Sequence, residues 1–468
     1  MNVLVVGGGI CGLGTALLLA RDGHDVLLLE RDANPLPESP QRAWETWERK
    51  GVAQFHQPHN FLPRLRLVLE AELPDLQEAL RRAGASRFDL VNPLPPFFAD
   101  QSPRPVDDRL WTYTARRPAG EWVFANAAEE APRITIRRGV RAVELVTGSS
   151  ATPGIPHVTG VRTADGETLR ADVVVDAMGR RSRSPEWLTA AGARPPYEEQ
   201  ADCGFTYYTR YFAGTAPQRF GPPFAILGTI AVLTLPGDNG TWSVTIMTAA
   251  GDQPLKALRH ADAWSRTVRA CPLQAHWLDG EPITDVLAMS GIVDRYRRFV
   301  VDGQPVATGF HAVADAWACT NPSAGRGLSV GLMHAVELRD ALRTARDDPR
   351  ALAEDFHERT EATVAPWYHA QIAVDRARFA EIDALRDGRE PPAPADDVAK
   401  GFAALVAAAP NDPDLFRALM EYVGAIATMK ELLGRSEVAD RLVAASKSDA
   451  PKIALPGPNR TELLALLG

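Results

Sequence analysis

The chain has 468 residues, 45% of them hydrophobic and 24% charged. That is ordinary globular composition and, at about 150 residues per domain, enough chain for roughly three domains. The net charge of −8 and the lack of a basic tail disfavour nucleic acid and anionic membranes as partners. Four cysteines, Cys11, Cys203, Cys271 and Cys319, lie far apart with no C-x-x-C pair. This argues against a disulfide framework or a zinc site and for reduced thiols in a cytoplasmic protein. No apolar run reaches about eighteen residues, so no membrane span is predicted.

The first thirty residues divide cleanly. Asn2 to Val6 reads as a short buried strand. Gly7-Gly8-Gly9-Ile10-Cys11-Gly12 fits G-x-G-x-x-G, Leu13 to Arg21 reads as a helix, and Asp25 to Leu29 is a second strand ending at Glu30. This is the strand–turn–helix–strand unit of a dinucleotide site. Gly7 permits the tight turn, Gly9 lets backbone approach a pyrophosphate, and Gly12 lets the helix pack on the strand. The helix N-terminus offers free N–H groups to phosphates, and Glu30 can accept ribose hydroxyls. The motif alone does not separate FAD from NAD.

Further along, "ITIRRGVRAVELV" and "HVTGVRTADGETL" read as strand and hairpin. Asp172 to Val175 is a buried strand running into Asp176-Ala177-Met178-Gly179. Residues 201–300 change character: "CGFTYYTRYF", "FAILGTIAVLTLP" and "TWSVTIMTAA" are strand-like, with a hairpin turn at Gly237-Asp238-Asn239-Gly240. "VADAWACTNPSAGRGLSVGL" carries Asp315, then Pro322, then Gly325 and Gly327 opening a helix. From about 325 the chain is helical and rich in Ala and Leu, with a Pro-rich loop near 387–397. His56 and His59 lie in a Pro-containing loop with no third ligand in view, so no metal site is expected.

Three segments, at residues 2–30, 172–179 and 313–332, together resemble the FAD-dependent monooxygenases of the para-hydroxybenzoate hydroxylase fold. The stretch "RKGVAQFHQPHNF" is similar to a segment of actinobacterial FAD epoxidases that act on polyether precursors. The resemblance implies an α/β fold: a Rossmann-like FAD-binding domain of glutathione-reductase type, an inserted antiparallel sheet and a helical C-terminal part. It divides the chain into residues 1–200, with a helical excursion over 55–100, then 201–300 covering the substrate, 301–345 returning to the FAD domain, and 346–468.

The resemblance also implies the site. Cofactor binding falls to Gly7, Gly9, Gly12, Leu13, Glu30, Arg31, Arg117, Val140, Asp315, Gly325, Gly327 and Leu328. Arg116 rivals Arg117, and Arg49 and Lys50 raise the same possibility. Substrate-pocket candidates are His59, Tyr207, Tyr211, Phe224, Trp242 and Trp317. No side chain is assigned as catalytic, because a flavin C4a-hydroperoxide would carry the chemistry. The implied activity is hydroxylation or epoxidation of a small apolar molecule with O2. NAD(P)H serves as reductant, directly or through a flavin reductase partner. Dehydrogenation, reduction or redox-neutral cyclisation on the same fold is the alternative. A halogenase is disfavoured by the lack of W-x-W-x-I-P, and a non-catalytic binding protein by the intact glycines. Three positions depart from the family pattern: Ala53 for Pro, Ala314 for Gly, and Met178. Ala at 314 costs little only if its φ is negative.

Overall fold

A computed structural model of the protein describes residues 1–95, 98–202, 204–447 and 455–468. Cys203 falls outside them. The β-branched and leucine-rich runs form a five-stranded parallel sheet, in the order Phe310–Ala312, Val173–Asp176, Asn2–Val6, Asp25–Glu30, Ile134–Arg138. All four pairings are parallel. Val3, Leu4 and Val5 are essentially fully buried, as a strand covered on both faces requires.

The first helix starts earlier than the sequence suggests. It runs Ile10–Arg21, capped by the extended backbone of Gly9, so Gly12 lies inside its first turn. A Cβ on Gly12 would collide with the Gly7 carbonyl, and one on Gly7 with the Ala177 carbonyl. Gly7 also sits at φ +114°, a conformation glycine adopts without penalty. The two motif glycines therefore clamp the first strand, its helix and the 176–179 segment together.

The residues between 55 and 100 are not only helical. Helices Leu62–Glu72 and Pro74–Arg82 are flanked by short strands, Pro58–Asn60 and Ser86–Asp89, and both strands pair with Trp111–Arg116. The second large sheet is antiparallel. Its order is Phe224–Leu227, Ile230–Pro236, Thr241–Ala249, Phe205–Ala213, Glu281–Pro282, and Leu287–Met289 also pairs with Phe205–Ala213. Helices dominate beyond residue 326, the longest being Gly327–Ala345 and Ala365–Arg386. Among the described residues, no helix is long and apolar enough to cross a membrane.

One buried ion pair joins the two regions. Asp238, in the turn between Ile230–Pro236 and Thr241–Ala249, accepts from the Arg116 backbone N–H at 2.8 Å, from Nε at 3.0 Å and from Nη2 at 2.6 Å. Both residues are at most 1% exposed, and the guanidinium lies over the Trp44 ring at 4.8 Å. Removing one partner strands the other charge in a low-dielectric interior. Asp238→Ala is expected to lower stability by about 3–5 kcal/mol in chemical denaturation, and Arg116→Met with Asp238→Leu together by much less.

Candidate functional site

The parallel strands end on a cavity of about 530 Å³. Ligands in open α/β sheets bind at this end of the strands. One side holds Gly7, Gly8, Gly9 and Glu30; the far side holds Tyr207, Phe224, Leu233, Thr245, Met247 and Met289 of the antiparallel sheet. Asp315 and the segment Pro322–Leu328 lie on the wall between them. Three segments remote in sequence thus share one continuous space.

Two helices present their N-termini to it. Neither Ile10–Arg21 nor Gly327–Ala345 has a side-chain cap, so their first-turn N–H groups are free of side-chain acceptors. Their positive dipole ends face the cavity. A Cβ added at Gly9, Gly325 or Gly327 would meet nothing within 4 Å. These three glycines therefore leave cradles of open space against bare backbone. Donor-rich backbone, open cradles and flanking carboxylates fit a dinucleotide with a pyrophosphate and hydroxylated chain.

Beneath the Gly-rich turn runs a buried ion network. Glu30 Oε2 accepts from Gly8 N–H at 3.0 Å and from Arg49 Nη2 at 2.8 Å, and Oε1 accepts from Asp32 N–H at 2.8 Å. Arg49 donates to the Gly8 carbonyl at 3.0 Å and pairs with Glu121 at 2.6 Å and Asp32 at 3.4 Å. Burial works against the Arg49 cation, but Glu121, Glu30 and Asp32 outweigh it and hold its pKa above the ordinary value. Glu121, 0% exposed, also accepts from Arg117 Nε at 3.1 Å. Arg117 in turn donates to His59 Nε2 at 2.9 Å. His59 Nδ1 then gives its proton to the Gln57 carbonyl at 2.9 Å, which assigns the neutral tautomer. Burial first, and then the Arg117 charge, push His59 down to about 3.

Asp315 lines the cavity and accepts no hydrogen bond among the described residues. Burial raises its pKa, while Arg117 and Arg180 act in the opposite direction. The middle-segment carboxylate, Asp176, is used differently. It accepts from Met178 N–H at 2.9 Å and from the Ser182 hydroxyl, and so shapes the turn.

Of the sequence-assigned cofactor residues, Gly7, Gly9, Gly12, Glu30, Arg31, Arg117, Val140, Asp315, Gly325, Gly327 and Leu328 line the cavity. Leu13 does not; its side chain packs in the core between helix and sheet. Arg116 is the structural partner of Asp238, whereas Arg49 lines the cavity and Lys50 is exposed. Among the substrate candidates, His59, Tyr207, Phe224 and Trp317 line the cavity. Trp242 and Tyr211 do not. Trp242 pairs with Phe212 in register, on the opposite face from Thr245 and Met247, and its indole donates to the Trp277 carbonyl at 2.9 Å. Tyr211 shares the Tyr207 face but lies beyond the cavity, against Trp44.

Sequence reasoning missed Leu233, Thr245, Met247, Met289 and Ile292 on the apolar wall, and Trp367, Tyr368 and Gln371 from the C-terminal helices. Strand register would have found the first group: Met247 lies opposite Tyr207, and Leu233 opposite Phe224. Register is a product of folding that no motif carries.

A family profile described as FAD dependent oxidoreductase matches residues 2–322. Protein Rv3254 of Mycobacterium tuberculosis is 25% identical over 394 residues, 78% of each chain. PqsL of Pseudomonas aeruginosa, a probable FAD-dependent monooxygenase, superposes with TM-score 0.61 at 16% identity, covering 83% of this chain and 98% of its own. OxyS of Streptomyces rimosus, an anhydrotetracycline hydroxylase, gives TM-score 0.55 at 18% identity, covering 91% and 76%. These structural likenesses establish the fold, that of the para-hydroxybenzoate hydroxylase type.

Ala314 sits at φ +52°, so the condition under which alanine would replace glycine at little cost is not met. Its N–H donates to His334 Nδ1 at 3.2 Å, and the buried turn holds the residue in this left-handed conformation, at about 1–2 kcal/mol for an L-residue. Ala314→Gly is expected to raise stability by about 1 kcal/mol in denaturant titrations, with flavin content unchanged.

Proposed function

The chain belongs to the FAD dependent oxidoreductase family, and from that premise we propose that it is a monooxygenase that hydroxylates or epoxidises a small apolar molecule. The single observation that carries this reading is the shared cavity. Cofactor-type backbone cradles and an apolar wall face one another across one space, and among the described residues that wall carries no carboxylate, histidine or lysine, its polar groups being the hydroxyls of Tyr207 and Thr245. Such a wall excludes water and orients a substrate without needing to ionise it.

In this reading, Gly7–Gly9 and the N-terminus of Ile10–Arg21 hold the pyrophosphate, with Arg117 adding a cation. The network around Arg49 has three carboxylates, Glu30, Asp32 and Glu121, against two guanidinium groups and a neutral His59. The surplus acceptor capacity suits ribose hydroxyls at Glu30. Asp315 takes hydroxyls of the ribityl chain. Backbone N–H groups at Gly325–Leu328 meet the pyrimidine edge, where a helix N-terminus favours negative charge. Bound FAD supplies the electron transfer and oxygen activation, with NAD(P)H as the proposed electron source. Tyr207, Phe224, Leu233, Met247 and Met289 hold the substrate and keep water out.

The test is anaerobic addition of NADPH, then NADH, to the yellow holoprotein, followed by isotopically labelled O2 and a panel of apolar alkenes and aromatics. Bleaching of the flavin absorbance and one labelled oxygen atom in the product are expected. Product formed without labelled oxygen would instead mark a dehydrogenase or a redox-neutral enzyme. Gly9→Val is expected to fold normally, since its side chain enters open space, and to purify with at least about tenfold less flavin, a loss of about 1.4 kcal/mol or more in affinity. The ratio of flavin to protein absorbance measures it.

A further inference from the structure

Asp375 belongs to none of the roles above. It lies on the helix Ala365–Arg386, is 4% exposed and does not itself line the cavity. Its Oδ1 accepts from Gln371 Nε2 at 2.9 Å and from Ser323 Oγ at 3.2 Å. Gln371 Nε2 also reaches Ser323 Oγ at 3.1 Å. Ser323 and Gln371 both line the cavity, beside Pro322. Among the described residues, Asp375 Oδ2 is buried with no partner in good hydrogen-bond geometry, although the Asn321 side chain lies close enough to act on it.

A buried carboxylate of this kind needs a cation or a proton. The charged group facing Asp375 from the neighbouring strand Val293–Arg298 is another carboxylate, Asp294, whose Oδ1 accepts the Asn321 N–H at 2.7 Å. On its own helix, Arg378 is turned to the Gly228 carbonyl and Glu381. Burial pushes the Asp375 carboxyl up to about 6 and Asp294 adds to it, against the pull of Gln371, Ser323 and Asn321. The Tyr207 hydroxyl, also on the cavity wall, donates to Asn321 Oδ1. That hydroxyl is turned to Asn321, whereas Ser323 is the cavity-lining hydroxyl hydrogen-bonded directly to Asp375.

We propose that Asp375 and Ser323 form a proton relay that opens into the cavity. The carboxylic acid of Asp375 gives its proton to Ser323 Oγ as the Ser323 hydroxyl gives its own to an oxygen-bearing group beside it. One O–H bond breaks at Asp375 and one forms at Ser323; one breaks at Ser323 and one forms on the acceptor. No electrons move. The carboxylate left behind is held by Gln371 and Ser323 and regains a proton from solvent. The role rests on the monooxygenase reading, in which substrate, O2, NAD(P)H and one proton give oxygenated substrate, NAD(P)+ and water. Ser323 is the group that touches the reacting space; Asp375 acts through it.

Two measurements on the holoprotein test the relay, and neither needs the substrate or NAD(P)H. Infrared difference spectra between pH 5 and pH 8 are expected to show a protonated-carboxyl C=O band that titrates near pH 6. The band is absent in Asp375→Asn and kept in Ser323→Ala and Asp375→Glu. Photoreduced holoprotein mixed with O2 is expected to recover its oxidised absorbance faster below pH 6 than above it, since the acid form is the donor. Asp375→Asn and Ser323→Ala are expected to lose this pH dependence and to react about a hundredfold more slowly at low pH, while Asp375→Glu retains it. Absence of the band in the wild type overturns the relay. So does an unchanged pH profile in both variants at full flavin content. Failure of the labelled-oxygen test, with the band and profile present, overturns the monooxygenase role and leaves the proton store in place.

Discussion

The site depends on one buried cation, Arg49. It touches the Gly8 carbonyl of the dinucleotide turn, the Glu30 carboxylate at the end of the second strand, and Glu121 on the helix Arg117–Glu130. Taking so many charges out of water costs several kcal/mol per ion, and only close pairing offsets it. The network is therefore less a source of stability than a fixer of geometry. Through Glu121 and Arg117 it sets the His59 ring. Gln57, whose carbonyl binds that ring, accepts the Thr209 hydroxyl at 2.7 Å, and Thr209 meets Thr245 at 2.8 Å. A single line of polar contacts thus connects the Glu30 end of the cavity with the antiparallel sheet.

That line explains how a composite site can be rigid. The parallel sheet and the antiparallel sheet share no strand, and the antiparallel sheet is tied to the segment around Pro58–Asn60 and Trp111–Arg116 by Arg116 with Asp238 at one place and by Gln57 with Thr209 at another. Gln57 itself lines the cavity. The cavity's charged wall is pre-paired and its far wall is apolar, so a molecule bound there meets groups already oriented. The helix Ala365–Arg386 closes the remaining side with Trp367, Tyr368 and Gln371.

Much of this was legible in the sequence because backbone-limited motifs write themselves in local order. Gly7, Gly9 and Gly12 must be glycine within six residues, and Glu30 must follow one helix and one strand later. Asp315, Gly325 and Gly327 form an equally local signature. Arg117 could not be told from Arg116 by spacing, since adjacent residues at a strand–helix junction point to opposite sides. Trp242 and Tyr211 looked like pocket residues for their aromatic bulk. Strand parity turned the first away from the cavity, and position along the strand carried the second past its end.

The sequence by itself determined the dinucleotide unit, the two carboxylate junctions and the alternation that makes the second sheet, because each depends on residues within one or two turns or strands of one another. Only the tertiary structure decided which charges neutralise which, as Arg49 with Glu30 and Glu121, and which side chains from segments remote in sequence face the same 530 Å³ of space. It alone showed that Ala314 is held left-handed and that Asp375, more than fifty residues from Ser323, is its hydrogen-bond partner. Such pairings depend on chain segments meeting after they fold, and burial then fixes their charge states; neither is encoded at any single stretch of chain.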